Sequence, residues 1–147
     1  MTITISILIT LCTFFFMEFV AWSVHKYIMH GFLWKLHKDH HQVNKDHVFQ
    51  KNDSFFLIFA IPSILLIFNG FNSGSFTLYI GIGIALYGLA YFIVHEIIIH
   101  QRIKILSRIN NKYVRGIRMA HKVHHKNIHK ENGTSFGMLI VSLKYFK

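Results

Sequence analysis

Three long apolar runs alternate with polar, histidine-rich segments along this chain of 147 residues. The runs cover residues 3–22, 55–71 and 76–95, and Glu18 is the only Asp, Glu, Lys or Arg within them. Each run approaches the roughly 20 apolar residues that an α-helix needs to cross a bilayer. Buried helices of a water-soluble bundle would show a polar face at a period of 3.6 residues, and no run shows one. The pattern therefore predicts three membrane-spanning helices.

The short polar sequence at residues 72–75, Asn-Ser-Gly-Ser, separates the second run from the third. Such a sequence is typical of a tight turn, so the second and third runs are predicted to form a helical hairpin. Small residues at Gly81, Ala85 and Gly88 recur at roughly four-residue spacing in the third run. Because small side chains let helices approach closely in lipid, we expect this face to contact another span.

The basic residues indicate how the spans are oriented. Sixteen Lys and Arg against six Asp and Glu give a formal charge of +10. Residues 1–24 and the 72–75 turn contain no Lys or Arg, whereas residues 26–51 and 102–130 contain most of them. The positive-inside rule places the basic segments, and all twelve histidines, in the cytoplasm. Topology and anionic headgroups then account for the charge, and no nucleic-acid-binding module is present.

These observations predict a single all-α integral membrane domain over residues 1–147, with three spanning helices and a cytoplasmic, histidine-rich helical cap. The apolar segment at residues 136–146 is short and contains Lys144. We expect it to lie at the membrane interface, and a fourth span is the alternative. Cys12 is the only cysteine, which excludes a disulfide framework and a thiolate-rich metal site.

Ten of the twelve histidines fall into two copies of one pattern, an HxxxxH pair followed by an HxxHH group. Both HxxxxH pairs continue directly from a predicted span, and the first and third spans end at the same membrane face. We therefore expect ten imidazoles to converge there. His47 and His129 stand apart from the pattern, although His129 could share a helix face with His125. The ten are His25, His30, His37, His40, His41, His95, His100, His121, His124 and His125.

The spacing within the pattern indicates metal binding. An HxxHH group on an α-helix presents three imidazoles on one face. Positions i and i+5 are about 140° apart on an α-helix, so each HxxxxH pair requires a distorted helix or is divided between two ions. Neutral imidazole is a ligand for iron, copper, zinc and nickel. Ten such ligands are too many for one ion, so we predict two metal ions with about five ligands each.

Carboxylates near the pattern are candidates to orient the rings, because a metal-bound histidine usually donates its other N–H to an acceptor. Glu18 is seven residues before His25 and shares its helix face. A protonated Glu18 bonded to a neighbouring helix is the alternative. The remaining candidates are Asp39, Asp53, Glu96 and Glu131.

The HxxxxH, HxxHH, HxxHH signature resembles that of the membrane-bound fatty acid hydroxylase, desaturase and sterol oxidase superfamily. The flanking residues are similar to the bacterial β-carotene 3-hydroxylases within it. The chain departs from that family at Glu96 and Gln50, where Asp and Glu are usual. The matching blocks are HKYIMHGFLWKLHKDHH (25–41), NDSFFLIFAIPSILLI (52–67), YGLAYFIVHEIIIHQR (87–102), RMAHKVHH (118–125) and KENGTSFG (130–137).

The resemblance implies a non-haem di-iron monooxygenase of the bacterial inner membrane, with the ten histidines as metal ligands. Such an enzyme would hydroxylate carbon 3 of β-ionone rings, converting β-carotene through β-cryptoxanthin to zeaxanthin. It would use O2 and electrons from a ferredoxin-like protein, ultimately from NAD(P)H. We expect the carotenoid to enter from the bilayer and the soluble electron carrier to dock on the basic face. Candidate channel residues are Phe19, Trp22, Tyr91 and Phe92.

Other functions share parts of this pattern. A di-iron hydroxylase or desaturase of fatty acyl or sterol substrates would use the same ligands. A membrane metal-binding or transport protein would place its ligands along a path through the bilayer, rather than at one face. A bis-histidine haem protein would need facing histidines inside the bundle. The sequence leaves the metal, the redox partner and the oligomeric state open.

Overall fold

The computed structural model describes residues 1–42 and 49–146, and His47 lies outside them. The described residues form an all-helical protein without β-strands. Its α-helices are α1 (Ile3–Ser23), α2 (Trp34–His41), α3 (Phe56–Ser73), α4 (Thr77–Phe92) and α5 (Lys112–His125). Two π-helical segments, Val24–Phe32 and Ile93–Ile99, continue α1 and α4, and short 3₁₀ helices occupy Lys51–Phe55 and Leu143–Tyr145.

Three continuous helices in the described part of the chain are long and apolar enough to cross a membrane. They cover Ile3–Phe32, Lys51–Ser73 and Thr77–Ile99. Large apolar side chains on them are exposed, including Phe15, Phe16 and Phe68. This exposure suits contact with lipid, so the prediction of three spans is confirmed. The segment at residues 136–146 contains only the Leu143–Tyr145 turn of helix and forms no fourth span.

Helices α3 and α4 form the predicted hairpin. The turn is made at Gly74, whose φ of +64° lies in the left-handed region that favours glycine. A Cβ at Gly81 would lie 2.7 Å from the Ile67 side chain, and the Ser63 hydroxyl donates a 2.8 Å hydrogen bond to the Gly81 carbonyl. Gly81 therefore contacts a neighbouring helix as predicted. Gly88 does not, because a Cβ there would meet nothing within 4 Å.

Helix α1 packs on the other side of α4. A Cβ at Gly83 would lie 2.7 Å from the Thr13 Cβ atom, so the absence of a side chain allows the two backbones to approach. A small buried core lies between these two helices, one to two turns before the HxxxxH pairs, and is formed by Met17, Ala21 and Tyr87. This packing brings the C-terminal ends of α1 and α4 together, and both HxxxxH pairs lie at those ends.

Helix α5 covers the same end of the bundle. The Asn111 side chain caps its N-terminus by accepting a 2.8 Å hydrogen bond from the Val114 N–H. One face of α5 is buried and carries Val114, Ile117, His121 and His124 at helical spacing, while basic side chains occupy the opposite face. The amphipathic pattern thus directs histidines inward, over the ends of the spanning helices.

Candidate metal centre

The first HxxxxH pair lies within a π-helical segment, and the second begins in one at His95 and ends at His100, the residue that caps it. In the second segment, the His100 N–H donates a 2.9 Å hydrogen bond to the His95 carbonyl, a separation of five residues. This i→i+5 pattern replaces the α-helical one and brings residues five apart onto one face. The ring centres are 5.4 Å apart for His25 and His30 and 4.5 Å apart for His95 and His100. Of the two alternatives left by the spacing, the structure shows the distorted helix.

Nine of the ten predicted histidines form two adjacent groups. Within each group, one nitrogen of every ring lies within 4.8 Å of the corresponding nitrogens of the others. The first group contains His25, His30, His37, His41 and His124, and the second group contains His40, His95, His100 and His121. These rings are buried, apart from the half-buried His100.

Each group combines histidines from both copies of the sequence pattern. In each HxxHH group, the middle histidine joins the pair from the other copy. His40 of α2 lies with the second pair, and His124 of α5 lies with the first. His125 lies between the groups. Its ring centre is within 5.0 Å of three rings of the second group, those of His121, His40 and His100, and of one ring of the first group, that of His41 at 4.5 Å. We therefore assign His125 to the second group by position.

The Nε2 atoms point toward one another. The His37 Nε2 atom is 3.2 Å from that of His25 and 3.1 Å from that of His41, and the His100 and His121 Nε2 atoms are 2.8 Å apart. Nitrogens that each lie about 2.0–2.1 Å from one ion are roughly 3 Å apart when they are neighbouring ligands. The spacing therefore fits metal ligands.

Two buried Nε2 atoms, those of His40 and His125, have no hydrogen-bond partner among the described residues. Leaving a buried polar nitrogen unpaired costs about 1–3 kcal/mol. An ion bound within the second group would satisfy both lone pairs. The donor set, composed of neutral nitrogens with free lone pairs, thus fits a transition metal at each group.

Backbone carbonyls orient most rings of the first group. They come from residues 127–136, which we call the carbonyl loop. Each acceptor places a proton on Nδ1 and leaves the Nε2 lone pair free for a metal. The pairs are His41 with Asn127 (2.8 Å), His30 with Lys130 (3.3 Å), His124 with Thr134 (2.8 Å) and His25 with Phe136 (3.0 Å).

Side chains orient three further rings. His37 Nδ1 is 2.6 Å from the buried Asn52 Oδ1, and His40 Nδ1 is 3.0 Å from Gln50 Oε1. His95 Nδ1 is 2.6 Å from Glu96 Oε1. The sequence reasoning missed Asn52 as an acceptor. The available signal was its position just before the second apolar run, at the membrane face where the histidines emerge.

The other predicted carboxylates act at a distance from the rings. Asp39 accepts a hydrogen bond from the Lys51 N–H and so holds the 3₁₀ helix that carries Asn52. Asp53 lies 3.1 Å from the Arg102 guanidinium, which also forms a 2.8 Å ion pair with Glu96. Only Glu96, among these three acidic residues and Glu131, bonds a histidine in the described structure. Glu131 is exposed.

Glu18 bonds to the C-terminal segment rather than to a histidine. Its Oε1 accepts backbone N–H bonds from Met138, Leu139 and Ile140 at 2.9, 2.9 and 3.0 Å. Its Oε2 accepts the Tyr87 hydroxyl at 2.7 Å. Glu18 bonds no histidine among the described residues, because seven residues of helix separate two groups on one face by about 10 Å along the axis. The Tyr87 contact is instead a bond to a neighbouring helix, α4, which was part of the alternative interpretation.

Burial keeps the histidines of the two groups neutral. It lowers the pKa of His41 to about 4 and the pKa values of His100 and His124 to about 3. Neighbouring histidines lower these values further, because a second positive charge in the same cluster is unfavourable. The rings are therefore uncharged at neutral pH, which is the form that binds a metal.

A cavity of about 750 Å³ between α1, α3 and α4 reaches the first group at His25. Apolar side chains form most of its wall, and two of the candidate channel residues, Tyr91 and Phe92, line it. Phe19 and Trp22 do not. They lie on another face of α1, beside a smaller groove of about 260 Å³. The reason is helical spacing, because the face of α1 that lines the cavity carries Ala21, Val24 and His25.

Comparisons with known proteins match this architecture. A family model described as fatty acid hydroxylase matches residues 10–143. The chain is 42% identical over 133 residues to a β-carotene hydroxylase of Pantoea ananas, covering 90% of this chain and 75% of that protein. It is 37% identical to a β-carotene hydroxylase of a Paracoccus species, covering 90% and 82%. A chloroplastic β-carotene 3-hydroxylase of an Oncidium cultivar is 36% identical over 128 residues, covering 84% and 41%. No solved structure matches.

Proposed function

Because the chain belongs to the fatty acid hydroxylase family, and resembles bacterial β-carotene hydroxylases along most of its length, we propose that it hydroxylates carbon 3 of β-ionone rings. The substrate would be β-carotene, and the products β-cryptoxanthin and then zeaxanthin. The observation that carries this proposal is the contact, at His25, between the first of two buried imidazole groups and a large apolar cavity open to the membrane region.

The ten histidines would hold two iron ions, one at each group. The first group would supply five ligands, and the second would supply four together with His125. When bound, such a pair of ions activates O2 for reaction with an unactivated C–H bond. The chain's own contribution is to keep each Nε2 lone pair directed inward, through the hydrogen bonds made by the Nδ1 atoms.

The cavity would position the carotenoid. Phe56, Ile64 and Leu89 line it and are also exposed on the surface of the spanning helices, so the cavity opens sideways toward lipid. An apolar polyene can therefore enter without crossing water, and its ring can lie beside His25. The apolar wall excludes water from the reacting carbon. A volume near 750 Å³ lies within the usual range for sites that bind small molecules.

A soluble donor would supply electrons from the water-facing side of the metal groups, whereas the carotenoid would enter from the lipid. Exposed basic side chains lie on α5 and on the segment that precedes it, and they include Lys104, Arg108, Lys122 and Lys126. A ferredoxin-like protein with an acidic surface would associate there through complementary charge. The positive-inside rule places this surface in the cytoplasm, which makes the protein a component of the bacterial inner membrane in this proposal.

Expression in bacteria that accumulate β-carotene tests the proposal directly. Chromatography of the pigments should show β-cryptoxanthin and zeaxanthin, and a His124→Ala variant expressed at the same level should leave β-carotene unchanged. Unchanged β-carotene in cells that contain the folded, iron-loaded wild-type protein would contradict the assignment. Because the family model is described by fatty acids, hydroxylated acyl chains in the lipids of the same cells would support the alternative substrate class.

A further inference from the structure

Glu18 has a role that the proposed hydroxylation does not assign to it. We propose that Glu18 is a positioning residue that keeps the first histidine group in metal-binding geometry by holding the carbonyl loop against α1. The inference rests on the proposed function only in taking the two histidine groups to be metal sites. It predicts that the two sites respond differently to loss of this one carboxylate.

The contact runs from the membrane span to the loop through three consecutive backbone amides. Glu18 is buried, with 7% of its surface exposed, and one of its oxygens accepts the N–H groups of Met138, Leu139 and Ile140. These amides begin two residues after Phe136, whose carbonyl orients His25. Hydrogen bonds to a carboxylate are stronger than those between neutral groups. Glu18 therefore fixes the end of the carbonyl loop.

The turn between the loop and these amides is built for this contact. A Cβ at Gly137 would overlap the Ile140 carbonyl oxygen and would lie 3.5 Å from the Glu18 Oε1 atom. A side chain at this position would therefore open the turn. The Tyr113 hydroxyl also bonds to the Leu139 carbonyl, at 2.7 Å, but this contact is exposed and is a single neutral bond. Glu18 supplies the buried part of the attachment.

In the described part of the chain, the hydrogen bonds from histidine rings to the carbonyl loop all come from the first group. Four of the five rings in the first group donate to its carbonyls, and the fifth, His37, donates to Asn52. In the second group, His40 uses Gln50 and His95 uses Glu96, neither of which belongs to the loop. Release of the loop would thus remove the acceptors that orient the first group, while the described acceptors of the second group remain in place.

Iron analysis of purified variants tests this asymmetry. Glu18→Ala removes the acceptor, and its iron content should fall from about two ions per chain to about one. Mössbauer spectra of the ⁵⁷Fe-loaded protein should lose the signal of one site. Glu18→Gln should retain close to two ions, because an amide oxygen can still accept the three N–H bonds and the Tyr87 hydroxyl can accept from the amide nitrogen. The matched control, Ser6→Ala, alters another buried polar residue of α1 and should leave both ions bound.

Several outcomes would overturn the proposal. Glu18→Ala with two bound ions would show that the loop holds its position without the carboxylate. Glu18→Ala with no bound ion would contradict the selectivity for one group. Loss of iron in Glu18→Gln equal to that in Glu18→Ala would show that the charge, rather than acceptor geometry, is required.

Hydrogen exchange separates this proposal from the proposed function. If the wild-type protein binds no iron, the metal assignment fails, but the attachment of the loop can still be measured. Amides in residues 127–140 of Glu18→Ala should exchange at least about tenfold faster than in wild type, with no change in the α3–α4 hairpin. Unchanged exchange in residues 127–140 would overturn the role of Glu18 whatever the iron content.

Discussion

Replacement of Asn52 tests how strongly a single amide orients the first histidine group. Asn52 is 8% exposed and His37 is 1% exposed, and the 2.6 Å contact between Asn52 Oδ1 and His37 Nδ1 excludes water as a substitute partner. Asn52→Leu keeps the approximate side-chain size and removes the acceptor. The buried N–H of His37 is then left without a partner, at a cost of about 1–3 kcal/mol.

The effect on metal affinity follows from the same bond. Loss of an acceptor that orients a metal-bound histidine typically weakens metal binding by about 10- to 100-fold. That range corresponds to roughly 1.4–2.8 kcal/mol, which agrees with the cost of the unpaired N–H. We therefore expect Asn52→Leu to bind one of two ions 10- to 100-fold more weakly and the other with unchanged affinity. Asn52→Asp keeps an acceptor oxygen and should bind both ions at least as tightly as wild type.

Competition titration against a chelator measures both affinities on the purified, detergent-solubilised protein. Asn69→Leu is the matched control, because Asn69 also accepts a side-chain hydrogen bond, from Ser73 at 3.3 Å, but lies exposed near the far end of α3. Wild-type affinity at both sites of a folded Asn52→Leu protein would refute the reasoning. Equal weakening in Asn69→Leu would also refute it, since that change does not touch a histidine.

Three further predictions concern the cavity, the tenth histidine and pH. Gly88→Phe should fill the cavity and greatly reduce carotenoid turnover without loss of metal, because Gly88 lines the cavity and a Cβ there meets nothing within 4 Å. Leu86→Phe, on the exposed face, should have little effect in the same pigment assay. His125→Ala should lower metal affinity at the second group, whereas His129→Ala should not, because His129 is exposed and outside both groups. Equal loss of metal from both variants in elemental analysis would contradict the assignment of His125 as a ligand. Burial lowers the pKa of His41 from 6.5 to about 4, so the unfolded chain binds more protons than the folded chain between these pH values. The free energy of unfolding should therefore fall as pH falls from 6.5 to 4. If the rings are solvated, unfolding measured at fixed temperature should be independent of pH in that range.

The spanning helices and the hairpin could be predicted because their causes are local. An apolar run of about 20 residues has few alternatives to a membrane helix, and the polar sequence around Gly74 supplies the left-handed turn. The face that each helix presents could not be predicted in the same way. Since α1 is apolar all round, its sequence did not indicate that Ala21 would line the cavity while Phe19 and Trp22 would not.

The histidine pattern predicted that the rings would converge, but it did not determine the backbone conformation that brings them together. Residues five apart share a face only when the hydrogen-bond register changes to i→i+5, and the HxxxxH letters do not specify that change. The exchange of His40 and His124 between groups depends on how α2 and α5 face each other, which is a tertiary property. The pattern therefore indicated which residues meet without indicating how they divide.

The hydrogen-bond acceptors of the rings were the least predictable part of the site. Every residue has a backbone carbonyl, so nothing in the sequence distinguishes those of Thr134 or Phe136 from the rest. Glu18 was recognised as unusual because a carboxylate in a membrane span is costly. Its partners could not be inferred, because they are the Tyr87 hydroxyl of another helix and three backbone amides about 120 residues away in the chain.

The metal content and ligation of the purified protein test the central claim most directly. After reconstitution with ferrous iron and removal of loosely bound metal, the account predicts two iron ions per chain, with X-ray absorption spectra dominated by imidazole nitrogen. A His40→Ala, His124→Ala double variant removes one ligand from each group and should bind both ions far more weakly. Fewer than one ion per chain in the wild-type protein, or iron bound mainly by ligands other than nitrogen, would contradict the account.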